Sequence, residues 1–171
     1  SWARPRQHAQ PHVPYSEQMV GGRLAREVID LTMSVEWNLI RIAKAEGLPQ
    51  QELTVVVLER PRHDAIIAEI RDVGARIKLI PAGDVGGALE AALDTRYGIH
   101  CMMGSGGSTE GVLAACAIKA IGGDMQAKLL LRDDDERNVA VKEGHQPDQV
   151  LSIDDLCSGN NLFFAATGIT S

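Results

Sequence analysis

Between Leu53 and Pro81 the chain carries an apolar run, an amphipathic run and a second apolar run within about thirty residues, the length of one βαβ unit. Leu53 to Leu58 is β-branched and of strand length. Pro61, in Glu59-Arg60-Pro61-Arg62-His63, enforces a turn or the first position of a helix. Asp64 to Val73 has helical spacing with Ile66, Ile67 and Ile70 inward, and Gly74 stops it. Arg76 to Pro81 is the second strand. Strand, helix and strand at this spacing read as a βαβ unit, whose crossover should be right-handed. This unit predicts an α/β fold, a mostly parallel sheet flanked by helices.

The rest of the chain fits that frame. Ser34 can cap a helix from Val35 to Glu46 with Val35, Leu39, Ile42 and Ala43 on one face, ended by Gly47 and Pro49. Tyr15 to Gly22 is ambiguous, and Arg23 to Leu31 reads as a short strand or a helical turn. Ala82 to Gly87 reads as a turn before a helix from Ala88 to Leu93. Gly98 to Met103 is a strand, followed by a glycine loop and a helix to Ala120. Ala127 to Leu131, Val150 to Ile153 and Leu162 to Ala166 complete the strands, with a helical turn at Asp154 to Leu156. With 171 residues, 44% of them hydrophobic, one globular domain over 15–171 is expected. Residues 1–14, with Pro5, Pro11 and Pro14, form an extended polar arm, and 132–149 form an exposed acidic loop.

The glycine loop offers the most chemistry. Gly104, Gly106 and Gly107 allow positive φ and let a ligand approach the main chain. Ser108 or Thr109 can cap the following helix, whose first amides can bind an anion. Glu110 in the first turn suits the helix dipole but repels a bare phosphate, a conflict removed by a divalent cation between them. An ordinary βα turn has the same composition. The spacing is neither the dinucleotide fingerprint nor the P-loop.

A net charge of -6 argues against a nucleic-acid partner and gives no attraction to an anionic membrane. No run reaches transmembrane length, and no secretory signal is visible. Cys101, Cys116 and Cys157 are widely spaced, without a CxxC pair. They point to reduced thiols in a cytoplasmic setting, with Cys101 and Cys116 as small core residues. The chain opens on Ser1, so either an initiator was removed or the sequence is a piece of something longer.

In α/β sheets ligands bind beyond the carboxyl ends of strands. Three turns leave strands at that edge. They carry Arg60-Pro61-Arg62-His63, Ala82-Gly83-Asp84 and Gly106-Gly107-Ser108-Thr109-Glu110. Guanidiniums suit phosphate oxygens, and carboxylates suit sugar hydroxyls or hard cations. The set describes a site for a phosphorylated, hydroxylated small molecule. His63 has no Ser or Cys partner in motif spacing and reads as a solvated turn residue; Asp84 alone could be a helix cap.

The blocks from Leu53 to His63, Gly83-Asp84-Val85, Gly106 to Val112 and Ala166 to Thr170 resemble class II fructose-1,6-bisphosphatase in order and, up to Asp124-Met125, in spacing. The Tyr15 to Leu31 interval fits as well. The resemblance implies the second α/β half of the layered αβαβα sugar-phosphatase fold. It also implies a metal-dependent hydrolase of carbohydrate metabolism, serving gluconeogenesis or glycerol use. Its substrate would be fructose 1,6-bisphosphate, with sedoheptulose 1,7-bisphosphate in some relatives, and its cofactor Mg²⁺ or Mn²⁺. By matching position, Glu110 would be a metal ligand and Gly107 a backbone contact to substrate. Arg60, Pro61 and Arg62 would grip a phosphate. Ala82, Gly83 and Asp84 would hold the sugar, and Tyr15 would also touch substrate.

Several family features have no counterpart here. The acidic metal signature of the family's N-terminal half is missing, Ala82 stands where an acid is usual, and Ser108-Thr109 replaces alanine-proline. The 132–149 loop is short, and the extension after Thr170 is absent. The expectation is a substrate-binding half, inactive or nearly so alone. It would be a homo-oligomer or be completed by an N-terminal half. The rival readings are a non-catalytic sugar-phosphate-binding module and a nucleotide-binding domain; the latter lacks an acidic ribose-binding residue after the glycines.

Overall fold

The computed structural model describes residues 15–93 and 98–165. The expected arm at 1–14, and Ala166 to Thr170 of the family blocks, lie outside them. In chain order the strands are β1 (Tyr15–Gly21), β2 (Thr54–Leu58), β3 (Arg76–Ile80), β4 (Cys101–Gly107), β5 (Asp124–Leu129) and β6 (Val150–Ser152). The helices are α1 (Val35–Glu46), α2 (Asp64–Val73), α3 (Asp84–Ala92), α4 (Ser108–Ile121), α5 (Asp134–Lys142) and α6 (Ile153–Leu156).

The six strands form one sheet in the order β3-β2-β4-β1-β5-β6. β3, β2 and β4 are parallel, as the βαβ pattern requires. The sheet as a whole is mixed rather than mostly parallel, because β1 runs antiparallel to both β4 and β5, and β6 antiparallel to β5. β1 is the unforeseen strand. Its inner positions include Ser16 and Gln18, both 5% exposed. The Gln18 amide donates to Ser16 Oγ at 3.0 Å, so these polar groups are buried in partnership. A strand with polar buried positions carries no apolar alternation for a sequence reading to find.

Helices cover both faces. Val55, Val57, Cys101 and Met103 pack with Leu39 and Ile42 of α1 and Ile67 and Ile70 of α2. Val56, Met102, Val20 and Met125 pack with the alanines of α3 and α4 and with Leu156 of α6. The alternation Val55/Val56/Val57 thus splits β2 between two cores, as a strand buried on both sides must. The second face is built of small residues. A Cβ on Gly87 of α3 would lie 2.7 Å from Ile80 Cδ1 and 3.1 Å from Val56 Cγ1, so that helix lies close on the sheet.

Local signals fixed several boundaries. Ser34 Oγ accepts the Trp37 N–H at 3.1 Å and Gly47 ends α1 at φ 68°. Gly74 ends α2 at φ 89°. Elsewhere the structure differs from expectation. Gly104 to Gly107 are not a loop: they extend β4, paired with β1 from Gln18 to Tyr15. The residue before α4 is therefore Gly107, without a side-chain cap, and neither Ser108 nor Thr109 caps. α3 starts at Asp84, so Gly86 and Gly87 lie within a helix rather than a turn, and Gly87 packs against the sheet while Gly86 faces open space. β5 starts at Asp124. Part of the expected 132–149 loop is helix α5, nucleated by Asp133, whose side chain accepts the Glu136 N–H at 2.8 Å. Residues 162–165 are not a strand, and Phe163 is 94% exposed. Cys101 is buried, whereas Cys116 is half-buried, its Sγ 3.1 Å from Cys157 Sγ.

Candidate functional site

The direction of the strands decides where the turns meet. Parallel β2, β3 and β4 end on the same edge of the sheet, and antiparallel β1 begins there, with Tyr15 opposite Gly107. From β2 the chain crosses outward to β3 by way of α2, then back over β2 to β4 by way of α3. This reversal is a topological switch point, the place in an open α/β sheet where a crevice forms.

A cleft of about 380 Å³ opens there. Arg60 and Arg62 line it from the turn after β2, and Ala82, Gly83 and Asp84 from the turn after β3. Gly106, Gly107 and Glu110 line it from the β4–α4 junction, and Tyr15 from the start of β1. The three turns and Tyr15 thus share one cavity. Pro61 is not among the lining residues; it opens a one-turn 3-10 helix, Pro61–His63, which sets the direction of the turn. Leu58 lines the floor and was not foreseen. A cavity of about 470 Å³ at the opposite sheet edge is lined in part by Arg23, His100 and Ile121 and includes none of the residues above.

The two carboxylates approach the glycines of β4. A Cβ on Gly106 would lie 2.9 Å from Asp84 Oδ2, and any side chain on Gly107 would collide with the Glu110 carboxylate. With no side chain at either glycine, both carboxylates can rest against the main chain of β4. Asp84 Oδ1 accepts the N–H of Val85 at 2.9 Å, so it holds its own helix end while lining the cleft. Glu110 is exposed in the first turn of α4. Gly83 takes φ 87°, a left-handed conformation that glycine adopts without strain.

The arginines differ. Arg60 Nη1 donates to the Glu59 carbonyl at 2.7 Å. Arg62 donates from Nε to Ser105 Oγ and from Nη2 to the Ser105 carbonyl, both at 3.0 Å, and its guanidinium lies 5.3 Å from the centre of the Tyr15 ring. His63 is not solvated: it is 3% exposed. Its Nδ1 lies 2.8 Å from the Leu58 carbonyl, and its Nε2 accepts the Ser105 N–H at 2.9 Å. Ser105 was missed because it reads as a linker between Gly104 and Gly106.

The site's donors do not complete a metal centre. Among the described residues no group of three or more His, Cys, Asp or Glu side chains could hold a metal ion. Asp84 and Glu110 are the acids lining the cleft, and a hard divalent cation takes about six oxygen ligands.

A family model described as bacterial fructose-1,6-bisphosphatase, glpX-encoded, matches residues 5–171. The chain belongs to this family. Its relatives include the class 2 fructose-1,6-bisphosphatase of Haemophilus influenzae, 41% identical over 175 residues, covering 92% of this chain and 51% of that protein. Fructose-1,6-bisphosphatase 1 class 2 of Escherichia coli K12 is 37% identical over 174 residues, covering 91% of this chain and 50% of that protein. The chain thus spans about half the length of the curated relatives it matches. Among the described residues no helix is long and apolar enough to cross a membrane.

Proposed function

We propose that this chain is the substrate-binding half of a class II fructose-1,6-bisphosphatase. The whole enzyme hydrolyses the 1-phosphate of fructose 1,6-bisphosphate, leaving fructose 6-phosphate and inorganic phosphate. The observation that supports the reading is the shared cleft of Arg60, Arg62, Asp84, Gly107 and Glu110. In this reading Arg60 and Arg62 hold a phosphate, with Tyr15 beside Arg62. Ala82, Gly83 and Asp84 meet the sugar. Pro61 orients the arginine turn, and Gly107 offers its backbone. Glu110 is one ligand of a Mg²⁺ or Mn²⁺ ion whose other ligands come from a complementing N-terminal half. Such a metal supplies Lewis-acid stabilisation of the phosphoryl group and an activated water.

Two acids in the cleft favour binding without turnover for the isolated chain. The chain alone, with Mn²⁺, should release no phosphate from fructose 1,6-bisphosphate. It should gain activity with the half of the Haemophilus influenzae relative that it does not span. Turnover by the pure chain would refute the half-site reading. Fructose 1,6-bisphosphate should raise the melting temperature by mass action on the folded state, and Arg62→Ala should shrink that shift. An equal shift in the variant would remove Arg62 from the site.

A further inference from the structure

The sheet forks at the cleft. β2 and β4 are paired over Val55↔Cys101 and Val56↔Met102, and no ladder pair among the described residues joins them further toward the cleft. Main-chain groups beyond the fork still need partners, because a buried carbonyl or N–H without one is costly. The His63 imidazole supplies one to the Leu58 carbonyl and one to the Ser105 N–H. The N–H of Ser105 can only donate, so Nε2 is its acceptor and Nδ1 carries the proton that goes to the Leu58 carbonyl. The ring stands in the gap as a side-chain rung between two diverging strands.

The ring also reaches a third group. Ser105 Oγ lies 3.0 Å from Nε2 and accepts the Arg62 Nε–H at 3.0 Å. Gly104, at φ 146°, makes room: a Cβ there would lie 3.1 Å from the ring's Cε1 and Nε2. His63 thereby fixes Ser105, and Ser105 takes Arg62 by both its hydroxyl and its carbonyl. A guanidinium has five N–H donors, and this grip uses two of them, leaving Nη1 and one Nη2 proton for an anion. Without the grip Arg62, which is exposed, would sample many rotamers and lose more freedom on binding.

We propose that His63, acting through Ser105, is a positioning residue that holds the Arg62 guanidinium ready for a phosphate. The proposal rests on the reading of Arg62 as a phosphate contact, so its test has one arm that needs no ligand. In nitrogen-15 spectra of the full chain, the Arg62 Nε–H should exchange slowly with solvent. Ser105→Ala and His63→Phe should each abolish that protection. His63→Gln, whose side-chain oxygen can replace Nε2 as acceptor, should restore it. In the second arm, calorimetric affinity for fructose 1,6-bisphosphate should fall about two- to tenfold in His63→Phe, the freedom of one long side chain. In an Arg62→Ala background the same change should cost nothing more. Fast Nε–H exchange in the native chain, retained protection in Ser105→Ala, or additive affinity losses would each overturn the proposal. If His63→Phe does not fold, His63→Leu, which is smaller and likewise offers Ser105 no acceptor, takes its place and should abolish the protection as well. Failure of the native chain to bind the bisphosphate would refute the phosphate reading while the exchange arm still decides the positioning role.

Discussion

Two histidines join β2 to β4, one at each end of the sheet, and their settings differ. At the closed end His100 continues the ladder: its N–H donates to the Thr54 carbonyl and its Nδ1 accepts the Thr54 N–H, both at 3.0 Å. Both of these partner atoms lie on one residue, and the strands there are already in register. At the open end the partners of His63, Leu58 and Ser105, lie on strands that have parted, and a third residue, Arg62, is drawn in through Ser105. The same side chain closes a sheet in one place and keeps it usefully open in the other. The closed end should therefore govern stability, and the open end ligand affinity.

The largest expected effect tests the closed end. Leu53, just before β2, is fully buried between α1, α2 and the sheet, and Leu53→Ala should cost about 2–5 kcal/mol in urea unfolding. Affinity for the bisphosphate, measured where the variant is folded, should be unchanged; a weakened affinity would break the division. Gly87→Ala should cost about 1–3 kcal/mol, because its Cβ would lie 2.7 Å from Ile80 Cδ1 and 3.1 Å from Val56 Cγ1, closer than packed atoms sit, so that α3 or these side chains must shift. α3 begins at Asp84, so this variant should also weaken binding. It is the one substitution expected to register at both ends.

A pH series tests the His100 side of the comparison. Burial, with the Arg76 guanidinium nearby, holds the His100 imidazole below its usual 6.5. The neutral ring is the form favoured by folding. Its contribution is complete above pH 6.5, and it declines as the pH falls from there through the lowered folded value, because the unfolded chain takes up the proton first. The urea midpoint should fall between about pH 7 and pH 5, and His100→Asn, which keeps an acceptor for Thr54 but does not titrate, should flatten that slope. An unaltered slope would remove His100 as its source. The smallest expected effect is on stability at the open end. Arg62→Ala removes an exposed side chain and should change unfolding free energy by no more than about 0.5 kcal/mol while weakening binding. A larger loss would make Arg62 a structural strut rather than a ligand contact.

The same contrast explains what could be read in the chain beforehand. Where one residue type does one job, the pattern is plain: Ser34 and Gly47 bound α1, and three consecutive valines mark a strand buried on both faces. Where partners are distant, the pattern is silent. Tyr15 to Gly21 forms the inner strand β1 because Ser16 and Gln18 satisfy each other and Gly107, and nothing nearby in the sequence announces that. Gly104 to Gly107 suggest a loop until β1 is set against them. The arginine, aspartate and glutamate turns of the cleft were legible from strand order and from resemblance. His63 and Ser105 were not, since their roles follow from a fork in the sheet that only the three-dimensional pairing defines.

The place of β1 also has a consequence for synthesis. A ribosome delivers this strand well before both of its hydrogen-bonding neighbours, β4 and β5. Contacts this remote in sequence slow folding, because a long loop must close before they form. Until then the nascent chain displays two unpaired strand edges, which invite association with other chains. Truncation ahead of Asp124 would leave one of those edges, the one that β5 covers, permanently unpaired.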